Sequence, residues 1–135
     1  MVPDPTFTQT THTIRVSVLP VYLQHQSNPC DNVFVWAYHI CLENKGNQTF
    51  QLLSRYWKIT DAYGRIQEVR GDGVIGEQPV LHPGETFEYT SSVTLNLPSG
   101  VMVGSYEMQS PTGETIEVAV PLFSLDSPEI QRTVH

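Results

Sequence analysis

The segment Val33 to Asn44 constrains the fold more than any other part of the chain. Phe34, Trp36, Tyr38, Ile40 and Leu42 fall at every second position, with Val35, Ala37, His39 and Cys41 between them. Alternate positions line one face of an extended strand, whereas a helix would scatter these five bulky groups around its circumference. The pattern predicts a strand with a buried aromatic face. The same alternation recurs in Ile14, Val16 and Val18, set against Thr13, Arg15 and Ser17. Between Glu85 and Asn96 it recurs in Phe87, Tyr89, Ser91 and Val93. Phe50 to Thr60 reads as a further strand, with Leu53, Trp57 and Ile59 inward.

Turn chemistry separates these runs. Pro20 through Pro29 reads as a proline-rich polar connection. Asn44-Lys45-Gly46-Asn47 and Asp61-Ala62-Tyr63-Gly64 supply residues that tolerate tight reversals, and Arg65 to Arg70 resumes as a polar hairpin partner. Pro83-Gly84, Pro98-Ser99-Gly100 and Pro111-Thr112-Gly113 break the chain again. The last of these joins Val101–Gln109 to Thr115–Phe123 as a hairpin. Seven or eight short strands so punctuated predict an all-β sandwich of two antiparallel sheets. Trp36, Tyr38, Leu53, Trp57, Ile59, Phe87, Tyr106 and Val118 are the expected core layer. No change in composition marks a linker, so residues 1–135 read as a single domain with a core over 13–123. The tail from Ser124 onward is weakly patterned, and both ends are expected to be loosely held.

Composition narrows the function classes. With 135 residues, 39% of them hydrophobic and 16% charged, the chain can bury one core. Its formal charge of −7 argues against nucleic acid and against an anionic membrane surface, because both are bound chiefly through clustered Lys and Arg. Arg15, Arg55, Arg65, Arg70 and Arg132 lie scattered. The longest apolar run, Val33 to Tyr38, is too short to cross a bilayer. Cys30 and Cys41 form neither a C-x-x-C pair nor a zinc-finger spacing. With no leader-like apolar stretch between Met1 and Thr13, a cytoplasmic location and ordinary thiols are expected.

One segment carries a motif. In Arg70-Gly71-Asp72-Gly73-Val74-Ile75-Gly76-Glu77-Gln78-Pro79 the glycines match G-x-G-x-x-G. In dinucleotide folds such glycines follow a strand and open a helix whose N-terminus holds the pyrophosphate. Here Pro79 and Pro83 leave no room for that helix, the Walker Lys-Ser/Thr ending is missing, and Asp72 and Glu77 would repel a phosphate. The plainer reading places the glycines at positive φ or at close backbone contacts. Loops on rigid sandwiches also carry recognition, so Arg70, Gly71, Asp72, Gly73, Gly76, Glu77 and Gln78 form the candidate binding set.

Other constellations offer less. His39 and Cys41 share a strand face but would need further ligands to hold a soft metal. His25 and His82 have no partner spacing. A G-x-S-x-G elbow is missing, and Glu85/Glu88 and Glu114/Glu117 point to opposite strand faces, as solubility charges do. Neither a catalytic set, a metal site nor a cofactor is predicted. Tyr22 and Tyr63 fall in predicted connections and could anchor a partner; exposed sheet edges would allow a second copy to pair.

Ordered blocks across Ile14 to Phe123 resemble the ApaG family. They include Val16-Ser17-Val18, Tyr22-Leu23, Gln26-Ser27, Ala37-Tyr38 and Gln51-Leu52-Leu53-Ser54-Arg55-Tyr56-Trp57. The most distinctive runs from Glu68 to Pro79, followed by Pro83-Gly84-Glu85, Phe87-Glu88-Tyr89-Thr90-Ser91 and Gly104-Tyr106-Met108. The resemblance implies an immunoglobulin- or fibronectin-III-like sandwich, found alone in bacteria and as a module in some eukaryotic proteins, including an F-box protein. Its members lack a settled activity; the name comes from a gene association with a diadenosine tetraphosphate hydrolase, and a link to cobalt and magnesium efflux rests on phenotype. The expectation is a non-enzymatic protein-interaction module with an unidentified protein partner. The alternatives are a binder of a nucleotide or dinucleoside polyphosphate at the glycine loop, and an indirect role in cobalt and magnesium efflux.

Overall fold

The structure, a computed structural model, describes residues 6–128. Nine strands follow in order: β1 Phe7–Thr11, β2 Ile14–Tyr22, β3 Phe34–Asn44, β4 Phe50–Asp61, β5 Ile66–Asp72, β6 Val80–Leu81, β7 Thr86–Leu95, β8 Ser99–Gln109 and β9 Thr115–Asp126. One antiparallel sheet has the order β1-β2-β3-β7; the other has β5-β4-β8-β9, with β6 also paired to β4. The chain is thus an all-β sandwich of two antiparallel sheets. Among the described residues, no helix is long and apolar enough to cross a membrane.

Alternation sorts the side chains as the sequence predicts. Ile14, Val16 and Val18 of β2 and Phe34, Trp36, Tyr38, Ile40 and Leu42 of β3 are all buried. They face Trp57, Ile59, Met102, Tyr106, Val118, Val120 and Phe123 of the other sheet. Tyr38 meets Trp57 edge-on at 5.3 Å between ring centroids, a favoured geometry for aromatic pairs. Each such side chain contributes roughly 1.5–3 kcal/mol by leaving water. Two hydroxyls share this interior: Tyr89 of β7 and Tyr106 of β8 hydrogen-bond to each other across the sheets. Burial pushes both phenols far above their ordinary pKa, so the pair stays neutral.

Several expectations are corrected. Leu52, not Leu53, is the fully buried leucine of β4. The β4–β8 register slips between Leu52 and Ser54, a bulge that inserts Leu53 and reverses which alternate positions face inward. Extrapolating back from Trp57 and Ile59 therefore selects the wrong leucine. Phe87 sits half-buried against the rim of the core rather than within it. The tail does not end at Phe123: β9 continues to Asp126, and Leu125 and Ser127 are fully buried. At the other end β1 pairs with β2 ahead of residue 13, and Phe7 packs on the core. Pro20 to Tyr22 belong to β2 rather than to a connection. Pro20 lies past the reach of β1, so its missing N–H breaks no ladder on that side.

At one pole, buried Asn44 ties the connections together. Its Nδ2 donates to the carbonyls of Gln48 (2.7 Å) and Leu81 (2.9 Å), and its Oδ1 accepts from the Gly46 amide. Its backbone exchanges bonds with Glu85 and Gly84. The Gly46 turn, the end of β6 and the Pro83-Gly84 reversal are thereby fixed to one another.

Candidate functional site

The glycine segment begins inside the sheet. Gly71 and Asp72 still pair with Arg55 and Ser54 of β4, so the chain leaves the ladder only at Gly73. Gly73 has φ +63° and donates its amide to the Leu53 carbonyl at 2.8 Å. The Val74 amide then donates to the Glu77 carbonyl, and the Glu77 amide returns to Val74, at 2.8 and 2.9 Å. A fully buried Val74 side chain pins this turn, while Ile75 and Gly76 form its exposed tip. Pro79 leads directly into β6, and no helix opens after Gly76.

The glycines follow from packing. A Cβ on Gly73 would overlap the Glu77 carbonyl oxygen, and Gly76 has φ +78°, backbone that L side chains rarely adopt. At Gly71 the issue is space: a Cβ would lie 2.8 Å from the guanidinium of Arg55. The same guanidinium donates through Nη1 to the carbonyls of Asp72 (3.0 Å) and Gly73 (2.9 Å). Arg55 therefore shapes the turn from inside the sandwich. Sequence reasoning missed it, although Arg55 falls in the same alternate series as Trp57 and Ile59, both inward.

On the outer face of the second sheet part of the candidate set borders a groove of about 870 Å³. Arg70, Gly71 and Asp72 line it with Arg55, Tyr56, Glu107 and Glu117. Gly73, Gly76, Glu77 and Gln78 are not among its lining residues; Gln78 Nε2 instead donates to the Leu53 carbonyl at 2.9 Å. Arg70 lies over the Tyr56 ring at 4.3 Å and 3.8 Å from Glu68. Tyr56 donates its hydroxyl to Glu68 at 2.6 Å, and that bond raises the phenol's pKa. Across the strands Asp72 stands opposite Ser54, Ser54 opposite Glu107, and Glu107 opposite Glu117. Three carboxylates thus share one row of the groove, which Arg70 and Arg55 also line.

The remaining candidates are dispersed. His39 pairs with Glu88 at 3.0 Å and with Thr90 at 2.9 Å on the outer face of the first sheet. Burial, followed by the nearby Glu88 and Glu43 carboxylates, raises the Cys41 thiol's pKa, which keeps it protonated and poorly nucleophilic. Cys30 is exposed, and both cysteines are free thiols. Among the described residues, no three His, Cys, Asp or Glu side chains come together to hold a metal ion. Tyr63 is 76% exposed at its turn, as a surface anchor would be. Tyr22 is not exposed in this way: it packs on Trp36 at 5.2 Å, because β2 carries it into the sheet.

These features first define a class, an antiparallel sandwich whose glycine turn is folded back onto its own sheet by an inward arginine. Residues 24–110 match the profile of the ApaG domain, and the chain belongs to the ApaG family. Protein ApaG of Parvibaculum lavamentivorans is 56% identical over 125 residues, covering 93% of this chain and 96% of that one. Protein ApaG of Rhodospirillum centenum is 59% identical over 122 residues, covering 90% and 94%. Among solved structures, the putative ApaA protein from Bordetella pertussis superposes with a TM-score of 0.82 at 44% identity, covering 93% of this chain and 97% of that one.

Proposed function

We propose that this chain is a non-catalytic protein-interaction module that presents the outer face of β5-β4-β8-β9 to a partner bearing Lys or Arg. The observation that carries the reading is the row Asp72, Glu107 and Glu117, held on rigid strands in a polar groove. Such a row suits cationic side chains and opposes phosphate. The glycine turn leans the same way: the amides of Gly73, Val74 and Glu77 are committed to carbonyls of the chain itself, and only those of Ile75 and Gly76 at its tip lack a backbone acceptor. A phosphate cradle needs such amides free and pointing outward.

Affinity capture from the native cell, repeated with Asp72→Lys and Glu107→Lys, tests this. Partners retained by the parent chain should be lost by both variants and weakened by salt. Unchanged capture by both would remove this surface. In parallel, NMR titration with pyrophosphate and dinucleoside polyphosphates should leave the amides of Gly71 to Gly76 unmoved at millimolar ligand; saturable shifts there would favour the phosphate reading instead.

A further inference from the structure

The two sheets are closed along one seam and open along the other. On the closed side β1 and β2 pack on β9, and the Ala119 amide donates to Thr11 Oγ1. On the open side, β7 and β5 are the outermost strands of their sheets, and each makes its extensive backbone contact only with a neighbour in its own sheet. Between them runs a cleft of about 300 Å³ that faces the sandwich interior, and Arg55 lines both it and the outer groove. Tyr38, Trp57, Ile59, Val69 and Val93 supply its apolar wall, and Gln67, Ser91, Ser92 and Thr94 its polar rim.

The four outer strands are not equivalent. β1 is five residues long and tied to β9. β9 carries Pro121 and a register break opposite Val103. β5 is short and charged, with Glu68, Arg70 and Asp72. β7 has none of these protections. Its ten residues pair with β3 without a register break, its one charged residue is Glu88, and its other edge faces no strand among the described residues. A long, unbroken edge with a single charge is the kind that accepts another strand.

The cleft specifies what that strand carries. A strand added to β7 points alternate side chains into the space above Trp57, Val69 and Ile59, where apolar groups find apolar partners. Arg55 supplies the second determinant. Nη1 is spent on two carbonyls, but no bond to Nε or Nη2 is formed among the described residues, and no carboxylate there comes within salt-bridge distance. The Nε/Nη2 edge is the side of a guanidinium that grips a carboxylate with two parallel bonds.

Direction follows from register. Arg55 is paired with Tyr106, which bonds Tyr89, so the arginine lies at the Tyr89 level of β7; Ile59 and Met102 lie at the Val93 level. A strand antiparallel to β7 therefore arrives at Arg55 with its C-terminus. We infer that the β7 edge and its cleft bind an extended peptide with apolar residues at alternate positions, whose terminal carboxylate is held by Arg55. This site opens on the other face of the second sheet from the acidic groove, and the two meet at Arg55.

The test is a pool of synthetic octapeptides with Val, Leu, Ile or Phe at alternate positions and Thr between them. Each is made as free acid, as C-terminal amide, and with its backbone amides methylated. On ¹⁵N-labelled protein the free acids should shift amides of Ser91 to Thr94 and Val69 together with the Trp57 indole. Amidation should weaken binding about tenfold or more by removing a charge-assisted pair, and methylation should abolish it. Arg55→Lys, which keeps a cation for the turn but loses the fork, should erase the difference between acid and amide. Binding that ignores amidation, shifts confined to Arg70 and Asp72, silence of the whole pool at millimolar concentration, or a concentration-dependent dimer that moves the β7 amides without peptide would each overturn the assignment. Glu107→Lys should leave the peptide response intact, which separates this site from the proposed groove.

Discussion

If the three loop glycines serve packing, replacing each by alanine should cost a different amount for a different reason. At Gly76 a Cβ meets nothing within 4 Å, so the penalty is the left-handed backbone alone, about 1–2 kcal/mol. At Gly73 the same penalty is joined by overlap with the Glu77 carbonyl, which must open the paired Val74–Glu77 bonds. Two such bonds add about 2 kcal/mol, for a total of roughly 3–4 kcal/mol. At Gly71 the backbone is ordinary, and the new methyl displaces Arg55 from the Asp72 and Gly73 carbonyls, costing about 2–3 kcal/mol. Urea and thermal unfolding of the purified chain would measure these, with each kcal/mol moving Tm by about 3–4 °C in a domain of this size. The discriminating measurement is a cycle with Arg55→Ala, in which Gly71→Ala should become nearly neutral because its obstacle is gone. Equal losses at all three glycines, or a Gly71→Ala loss that persists without Arg55, would refute the packing account.

Two further outcomes are expected. Tyr89→Phe should destabilise by about 1–3 kcal/mol, because it strands the buried Tyr106 hydroxyl, while adding Tyr106→Phe should recover much of that loss; both are read by urea unfolding. Partial burial of Asp61 opposes its charge, but hydrogen bonds from the Arg65 and Tyr63 amides and the Arg65 side chain outweigh it and hold the pKa below the ordinary 3.8. The stability this supplies is fully present above that ordinary value and is lost as pH falls through the lower folded value. NMR titration of the Asp61 carboxyl should show the depressed midpoint, and Arg65→Gln should raise it.

How much of this was legible depended on whether local pattern decided the outcome. The β3 face from Phe34 to Leu42 could be read directly, because period-two burial leaves an unbroken record over eleven residues. The Leu53 bulge could not, since one inserted residue shifts the inward series and no local residue type announces it. Leu125 was missed because a lone leucine between Ser124 and Asp126 alternates too briefly to count, yet pairing of Gly100 with Leu125 carries it inside. The glycine motif located a tight turn, and the absence of a following helix was readable from Pro79. Its organiser was not. Arg55 shares the inward series of Trp57 and Ile59, but only the β4–β5 register reveals that it stands opposite Gly71. The open cleft depends on which strands end each sheet, and that order exists only in the assembled topology.

Asn44 has a consequence for how such a domain can diversify. One amide side chain acts as a knot that ties the β3–β4 turn to the end of β6 at the same pole. Lengthening either connection in isolation would pull on the other, so sequence drift there is expected to be concerted. Among the described residues the opposite pole has no such knot around its Asp61–Arg65 reversal, and it is the natural end at which to graft an insertion.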